Sequence, residues 1–165
     1  MRPIVLAIFV AVVWITLSIP QQAQAAPAPA CGVNLAAPEI KTAIDSVPPV
    51  PEGWPWSREP RSFGGNYNPC ATLSTALISI QGATGSSPRQ ALFFHKGTYV
   101  GTATSAAYSF VSWNTAATTD DTVALDYTQP VGCDACGGPI TTVRYRWQAD
   151  HVQMLDGPPP QSNAD

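Results

Sequence analysis

Four cysteines, two histidines and one adjacent pair of aspartates are the residues in this chain whose spacing could support chemistry. Cys133 and Cys136 stand in Gly-Cys-Asp-Ala-Cys-Gly-Gly-Pro, a C-x-x-C pattern. As a redox centre, that motif needs a helix N-terminus at its first cysteine to lower the thiol pKa. Here Gly137, Gly138 and Pro139 follow and a strand begins, so the pattern predicts a disulfide clamping a loop. Four cysteines allow three connectivities. If the C-x-x-C pair is bonded, Cys31 joins Cys70. That bridge closes a long loop and is worth roughly 4 kcal/mol in the chain-entropy picture.

His95 and His151 can be drawn with Cys133 and Cys136 as a Cys₂His₂ zinc set, but they lack the H-x₃₋₅-H spacing such sites use. Thiolate ligation must also compete with oxidation outside the cell. No metal and no other cofactor is expected. Asp120 and Asp121 precede a strand; neighbours on an extended chain point to opposite sides, so they would not share a proton. A turn whose carboxylates cap backbone groups fits them better. Ser86 and Ser87 lie in a Gly-rich turn without a nucleophile-elbow pattern. The enzyme reading that survives is a small extracellular hydrolase, pairing His95 or His151 with Asp120, Asp121 or Asp150. The expectation set against it is a non-enzymatic binding domain.

Aromatic residues supply that domain's candidate surface. Trp54, Trp56, Tyr67, Tyr99, Tyr108 and Trp113 could stack sugar rings or apolar ligands, although such side chains mostly build cores. Trp54, Trp56, Tyr67 and Tyr99 are taken as the possible ligand-binding set. Trp54 and Trp56 lead it, because the Pro-rich stretch around them has no period that would bury both.

The elements that position these residues begin after an export signal. Arg2, the apolar run Ile4–Ile19 and the small-residue stretch Ala23-Gln24-Ala25-Ala26 form a basic start, a hydrophobic segment and an A-x-A site. Residues 1–25 are read as a signal peptide cleaved after Ala25, which delivers the cysteines to an oxidising compartment. The apolar run is short for a permanent anchor, so no transmembrane helix is expected after signal removal. The net charge is −3 with only 8 Lys and Arg in all. A nucleic-acid partner, which requires a basic face, is therefore set aside.

Residues 34–47 carry the one helix signal: Pro38 suits a first turn, Glu39 complements the N-terminal dipole, and Ile40, Ala43, Ile44 and Val47 form an apolar stripe. Pro48 and Pro49 end it. From Pro48 to Pro69 the chain reads as an ordered, extended wrap rich in aromatics. Strands are expected at Thr72–Ile80, Ala91–His95, Thr98–Thr102, Thr122–Tyr127, Ile140–Trp147 and His151–Leu155, with Lys96-Gly97 as a hairpin turn. In Ile140–Trp147 the alternation places Val143, Tyr145 and Trp147 inside and Arg144 and Arg146 outside. The fold class is α+β: one antiparallel sheet of five or six strands with a single helix packed on a face, stapled by disulfides. The domain spans 26–156 and residues 157–165 form a flexible tail.

Four blocks in order carry a family resemblance: Cys31-Gly-Val-Asn-Leu-Ala-Ala-Pro; Gly65-Asn-Tyr-Asn-Pro-Cys-Ala-Thr-Leu-Ser; Phe94-His-Lys-Gly-Thr-Tyr; and Asp121-Thr-Val-Ala-Leu. Over about residues 31–156 the chain resembles the LppP/LprE family, exported and often lipid-anchored envelope proteins of mycolate-walled bacteria. The resemblance implies export and a cell-envelope setting. It implies no catalytic activity and brings no functional residues with it. One departure stands out: Ala28-Pro29-Ala30 before Cys31 lacks the Leu of a lipobox, and eleven residues separate Cys31 from Ile19. Signal cleavage near Ala25 is therefore expected in place of lipid anchoring at Cys31. The expected partner is an envelope glycan, lipid or protein.

Overall fold

The computed structural model describes residues 30–50 and 53–160. The expected signal peptide lies outside the described residues, as do the last five positions of the expected tail; Pro159, just ahead of them, is buried.

One helix, α1 (Pro38–Ile44), forms inside the span that periodicity marked, with Pro38 in its first turn and Ile40, Ala43 and Ile44 buried. It is shorter than 34–47 because local bonds replace the helical ladder at both ends. The Asn34 side chain accepts from the Ala36 amide, and the Ser46 and Val47 amides close tight turns onto Ala43 and Ile44.

Eight strands make two antiparallel sheets, each in sequential order. Sheet A holds β1 (Gly64–Gly65), β2 (Ser74–Ser79), β3 (Arg89–His95) and β4 (Thr98–Thr102). Sheet B holds β5 (Val111–Trp113), β6 (Thr122–Thr128), β7 (Ile140–Gln148) and β8 (His151–Met154). The single sheet of five or six strands expected from the sequence is therefore incorrect. The cause lies in β2 and β3, which are apolar on both faces. Ala76, Ile78, Ile80, Leu92 and Phe94 pack with α1 and the wrap. Leu73, Leu77, Ala91 and Phe93 pack against Val123, Leu125, Val143 and Tyr145 of sheet B. One helix covers only one face, so the second sheet folds over the other, and sheet A becomes the middle of three layers.

All six expected strands form; the two missed are the shortest. β1 is a pair of glycines, required because a side chain at Gly65 (φ +105) would run into the Thr75 carbonyl. β5 is three residues long and follows Phe110, which sits at φ 55.

The Lys96-Gly97 hairpin forms as expected, with φ of 45 and 78 between the paired His95 and Thr98. Just beyond it the β3–β4 register shifts: Phe93 faces Gly101 but Phe94 faces Tyr99, so Val100 is an extra residue. The bulge turns Tyr99 onto the α1 side, where its ring lies 5.8 Å from that of Phe94.

The disulfides are Cys31–Cys70 and Cys133–Cys136, with Cα separations of 5.3 and 5.2 Å. The cysteines drawn as zinc ligands are thus bonded to each other. Around the first bridge, the Asn68 side chain accepts from the amides of Gly32 and Cys70, and the Asn34 amide donates to the Tyr67 carbonyl. Segment 31–37 is thereby stitched to the approach to β2.

Candidate functional site

The four aromatic residues singled out from the sequence separate into two pairs, one at each of two clefts beside α1. The first cleft, of about 430 Å³, lies between the Pro48–Val50 turn, Trp54 and Trp56 on one side and the end of sheet A with the 105–109 loop on the other. That volume is in the range of small-ligand pockets. Its Pro-rich wall is ordered because it borrows the edge of β2. Trp56 bridges Ile80, the Ser57 amide donates to the Ser79 carbonyl at 2.8 Å, and the Gln81 amide donates to Pro55. The Trp56 ring is buried and its Nε1 donates to the Pro48 carbonyl at 2.9 Å. Two residues earlier, Trp54 remains 55% exposed. The opposite wall is held by its neighbours: Arg89 and Tyr108, which do not line the cleft, exchange backbone bonds, and the Gln90 side chain donates to the Thr104 carbonyl at 2.7 Å.

Among the described residues no charged side chain lines this cleft. Trp56 and Gln90 spend their donors on the protein itself, so the surface offered to a ligand is mostly apolar: Val47, Val50, Trp54, Ile80 and Ala107. Sequence reasoning found the two tryptophans but missed Gln90 and the 105–109 loop. No local pattern marks them; they reach the cleft through sheet pairing.

The second cleft, of about 370 Å³, separates the outward face of α1 from the β3–β4 turn, with Glu39, Thr42 and Ser46 on one side and Gly97 and Tyr99 on the other. Tyr67 lies beneath it, 1% exposed, its ring set edge-on to Phe94 at 4.7 Å. Burial pushes the phenol pKa up to about 12, and the neighbouring Glu39 carboxylate adds to the shift. Burial also raises Tyr99. Both tyrosines therefore stay protonated at neutral pH. Tyr108 and Trp113 join neither cleft. Tyr108 packs edge-on against Tyr127 at 5.2 Å, and the Trp113 Nε1 donates to the Thr118 hydroxyl.

The titratable candidates gather at the turn end of the sheets without forming a catalytic set. His95 stacks on Trp147 with ring centroids 4.0 Å apart, and its Nδ1 donates to the Thr72 carbonyl at 2.6 Å. Asp120 accepts from the Thr72 hydroxyl at 2.7 Å, whereas the imidazole bonds the carbonyl of that residue. Asp121 accepts from the Thr119 and Thr122 hydroxyls, which lower its pKa with help from Arg146. His151 pairs with the adjacent Asp150 at 3.0 Å in the exposed β7–β8 turn and lowers that carboxyl's pKa. Among the described residues neither histidine hydrogen-bonds a hydroxyl, and no group of three His, Cys, Asp or Glu could hold a metal ion. Ser87 spends its oxygen on the Thr84 amide at 2.8 Å.

Comparisons with known proteins identify the family of this chain. No solved structure matches the chain. Proteins named lipoprotein LprE match it: that of Mycobacterium tuberculosis (strain ATCC 25618 / H37Rv) is 34% identical over 126 residues, covering 76% of this chain and 58% of the relative. That of Mycobacterium leprae (strain TN) is 34% identical over 137 residues, covering 82% and 64%. The chain thus spans about three-fifths of the length of these relatives. The family profile described as LppP/LprE lipoprotein matches residues 65–150, which run from β1 to the β7–β8 turn and take in every strand of the two sheets except β8. This chain belongs to the LppP/LprE lipoprotein family.

Proposed function

We propose that this protein is a non-enzymatic binding domain of the cell envelope, and that the Trp54–Trp56 cleft holds an uncharged hydrocarbon portion of an envelope component. One observation carries the reading: a half-exposed indole at a cleft whose wall, among the described residues, holds no charged side chain. Covering that exposed half with an apolar group is worth about 2–3 kcal/mol. The two largest polar side chains of the wall, Trp56 and Gln90, have their donors engaged within the protein, which favours an apolar occupant over a sugar. The family's description as lipoproteins supports the envelope setting. Among the described residues no helix is long and apolar enough to cross a membrane.

The test is quenching of tryptophan fluorescence by a bromine-labelled fatty acid. Saturable quenching is expected, weakened at least tenfold in Trp54→Ala and abolished by Ala107→Asp, which sets a charge in the wall. Trp54→Ala should fold normally, since its ring is largely outside the core. Absent quenching, or quenching unchanged in both variants, overturns the proposal.

A further inference from the structure

The C-x-x-C pair is a motif that neither cleft uses. The β6–β7 hairpin runs on past its strands: the Gln129 amide donates to the Pro139 carbonyl at 3.0 Å, and the Val131 amide to the Gly137 carbonyl at 2.9 Å. Beyond that neck the Cys136 amide donates to the Cys133 carbonyl at 3.0 Å, and the disulfide closes the tip. Gly138 lets the two sides of the neck meet, because a Cβ there would strike the Gln129 carbonyl. Backbone bonds thus close this frame before sulfur does. Cys31–Cys70 is different: it spans 39 positions and ties segment 31–37 to the approach to β2.

Every residue from Val131 to Thr142 is exposed. Exchange requires an incoming thiolate to reach a sulfur, and exposed disulfides are the labile ones. No Lys, Arg or His lies between Gln129 and Pro139, so nothing in the loop would hold either cysteine as a thiolate. The pair therefore suits the receiving side of an exchange, in which the activated thiolate belongs to a partner. Val131, 65% exposed, and Ile140, 63% exposed, belong to opposite sides of the same neck. They offer a docking protein apolar contacts beside the sulfurs.

We infer that Cys133–Cys136 is a thiol-exchange site, reduced by a partner protein's dithiol whose apolar flanks dock on Val131 and Ile140. In the first step a partner thiolate attacks one sulfur. A mixed disulfide forms, and the other cysteine leaves as a thiolate and takes up a proton. The partner's second thiol then loses its proton and attacks the partner sulfur of the mixed disulfide, releasing the remaining cysteine. The partner's dithiol is oxidised by two electrons to a disulfide, and Cys133 and Cys136 end as thiols. The inference is independent of the Trp54–Trp56 reading.

The experiment treats the whole oxidised domain with dithiothreitol, traps thiols with N-ethylmaleimide at intervals and maps the labelled peptides. Cys133 and Cys136 should be labelled at least tenfold faster than Cys31 and Cys70, while tryptophan fluorescence stays native. Two synthetic dithiol peptides, one with leucines beside its cysteines and one with serines, then replace dithiothreitol. The leucine peptide should react at least threefold faster, and Val131→Ser/Ile140→Ser should erase that preference. Four outcomes overturn the inference: labelling of Cys31 and Cys70 first or at the same rate, loss of native fluorescence when Cys133–Cys136 is reduced, equal rates with the two peptides, or a preference that survives the double variant.

Discussion

Removing each disulfide in turn separates two roles that the cysteine count alone leaves merged. Cys31 and Cys70 are 39 positions apart. In the chain-entropy relation, opening a loop of that size restores denatured-state freedom worth roughly 4 kcal/mol at 25 °C. Cys133 and Cys136 are 3 apart, and the same relation gives roughly 2 kcal/mol. The smaller loop is also held without sulfur: the Gln129 amide donates to Pro139 and the Val131 amide to Gly137, both around 3 Å. The Cys31→Ser/Cys70→Ser variant should therefore lose about 4 kcal/mol, and the Cys133→Ser/Cys136→Ser variant at most half of that. At about 4 °C per kcal/mol for a domain of this size, the two melting temperatures should differ by about 8 °C. Urea denaturation followed by tryptophan fluorescence, with calorimetry as a second probe, measures both. The long loop contains α1, Trp54, Trp56 and Tyr67, so its variant should also bind ligand more weakly at the Trp54–Trp56 cleft. Equal losses, or a larger loss from the C-x-x-C variant, would refute the loop-length reasoning.

Other expectations test separate parts of the fold. Phe93 is buried between the sheets; Phe93→Ala should cost about 3–5 kcal/mol in urea denaturation. Gly65→Ala should cost at least about 2 kcal/mol by the same measurement, because it combines a positive φ with a clash against the Thr75 carbonyl. Asp156 accepts from Arg144 through the backbone amide and two guanidinium nitrogens at 2.8–2.9 Å. Those bonds lower its pKa to about 2. A depressed carboxylate stabilises the fold above its unfolded pKa and loses that contribution as pH falls from about 4 towards 2. Carboxyl NMR should show that low midpoint in the native protein, with a return towards 4 in Arg144→Gln.

The parts of this molecule that were legible in the sequence are those set by local physics. Lys96-Gly97 announced its turn because Gly97 accepts a positive φ without cost and stands between two β-prone runs. The β7 alternation correctly placed Val143 and Tyr145 inside and Arg144 and Arg146 outside. The cysteine pairing followed from the absence of a helix after Cys136. Layer number was not legible. A strand such as Ser74–Ser79, buried along its whole length, looks like an imperfect alternation when one covered face is assumed. The candidate site divides in the same way. Trp54 and Trp56 stood out because no period could bury both, and one is indeed exposed. The parting of Tyr67 and Tyr99 from that pair rests on the bulge at Val100 and on docking of α1, which no local pattern encodes.

That bulge also bears on how copies of the domain coexist when crowded on one surface. β4 is the outermost strand of sheet A, and a straight outer strand invites a neighbouring molecule to extend the ladder. The extra residue at Val100, with Gly101 at φ +129 one position before the strand ends, breaks the even spacing of amides and carbonyls that such an extension would copy. The same irregularity that aims Tyr99 at α1 thus guards this margin against polymerisation. A one-residue deletion that straightened β4 would be expected to turn a monomeric domain into one that assembles edge to edge.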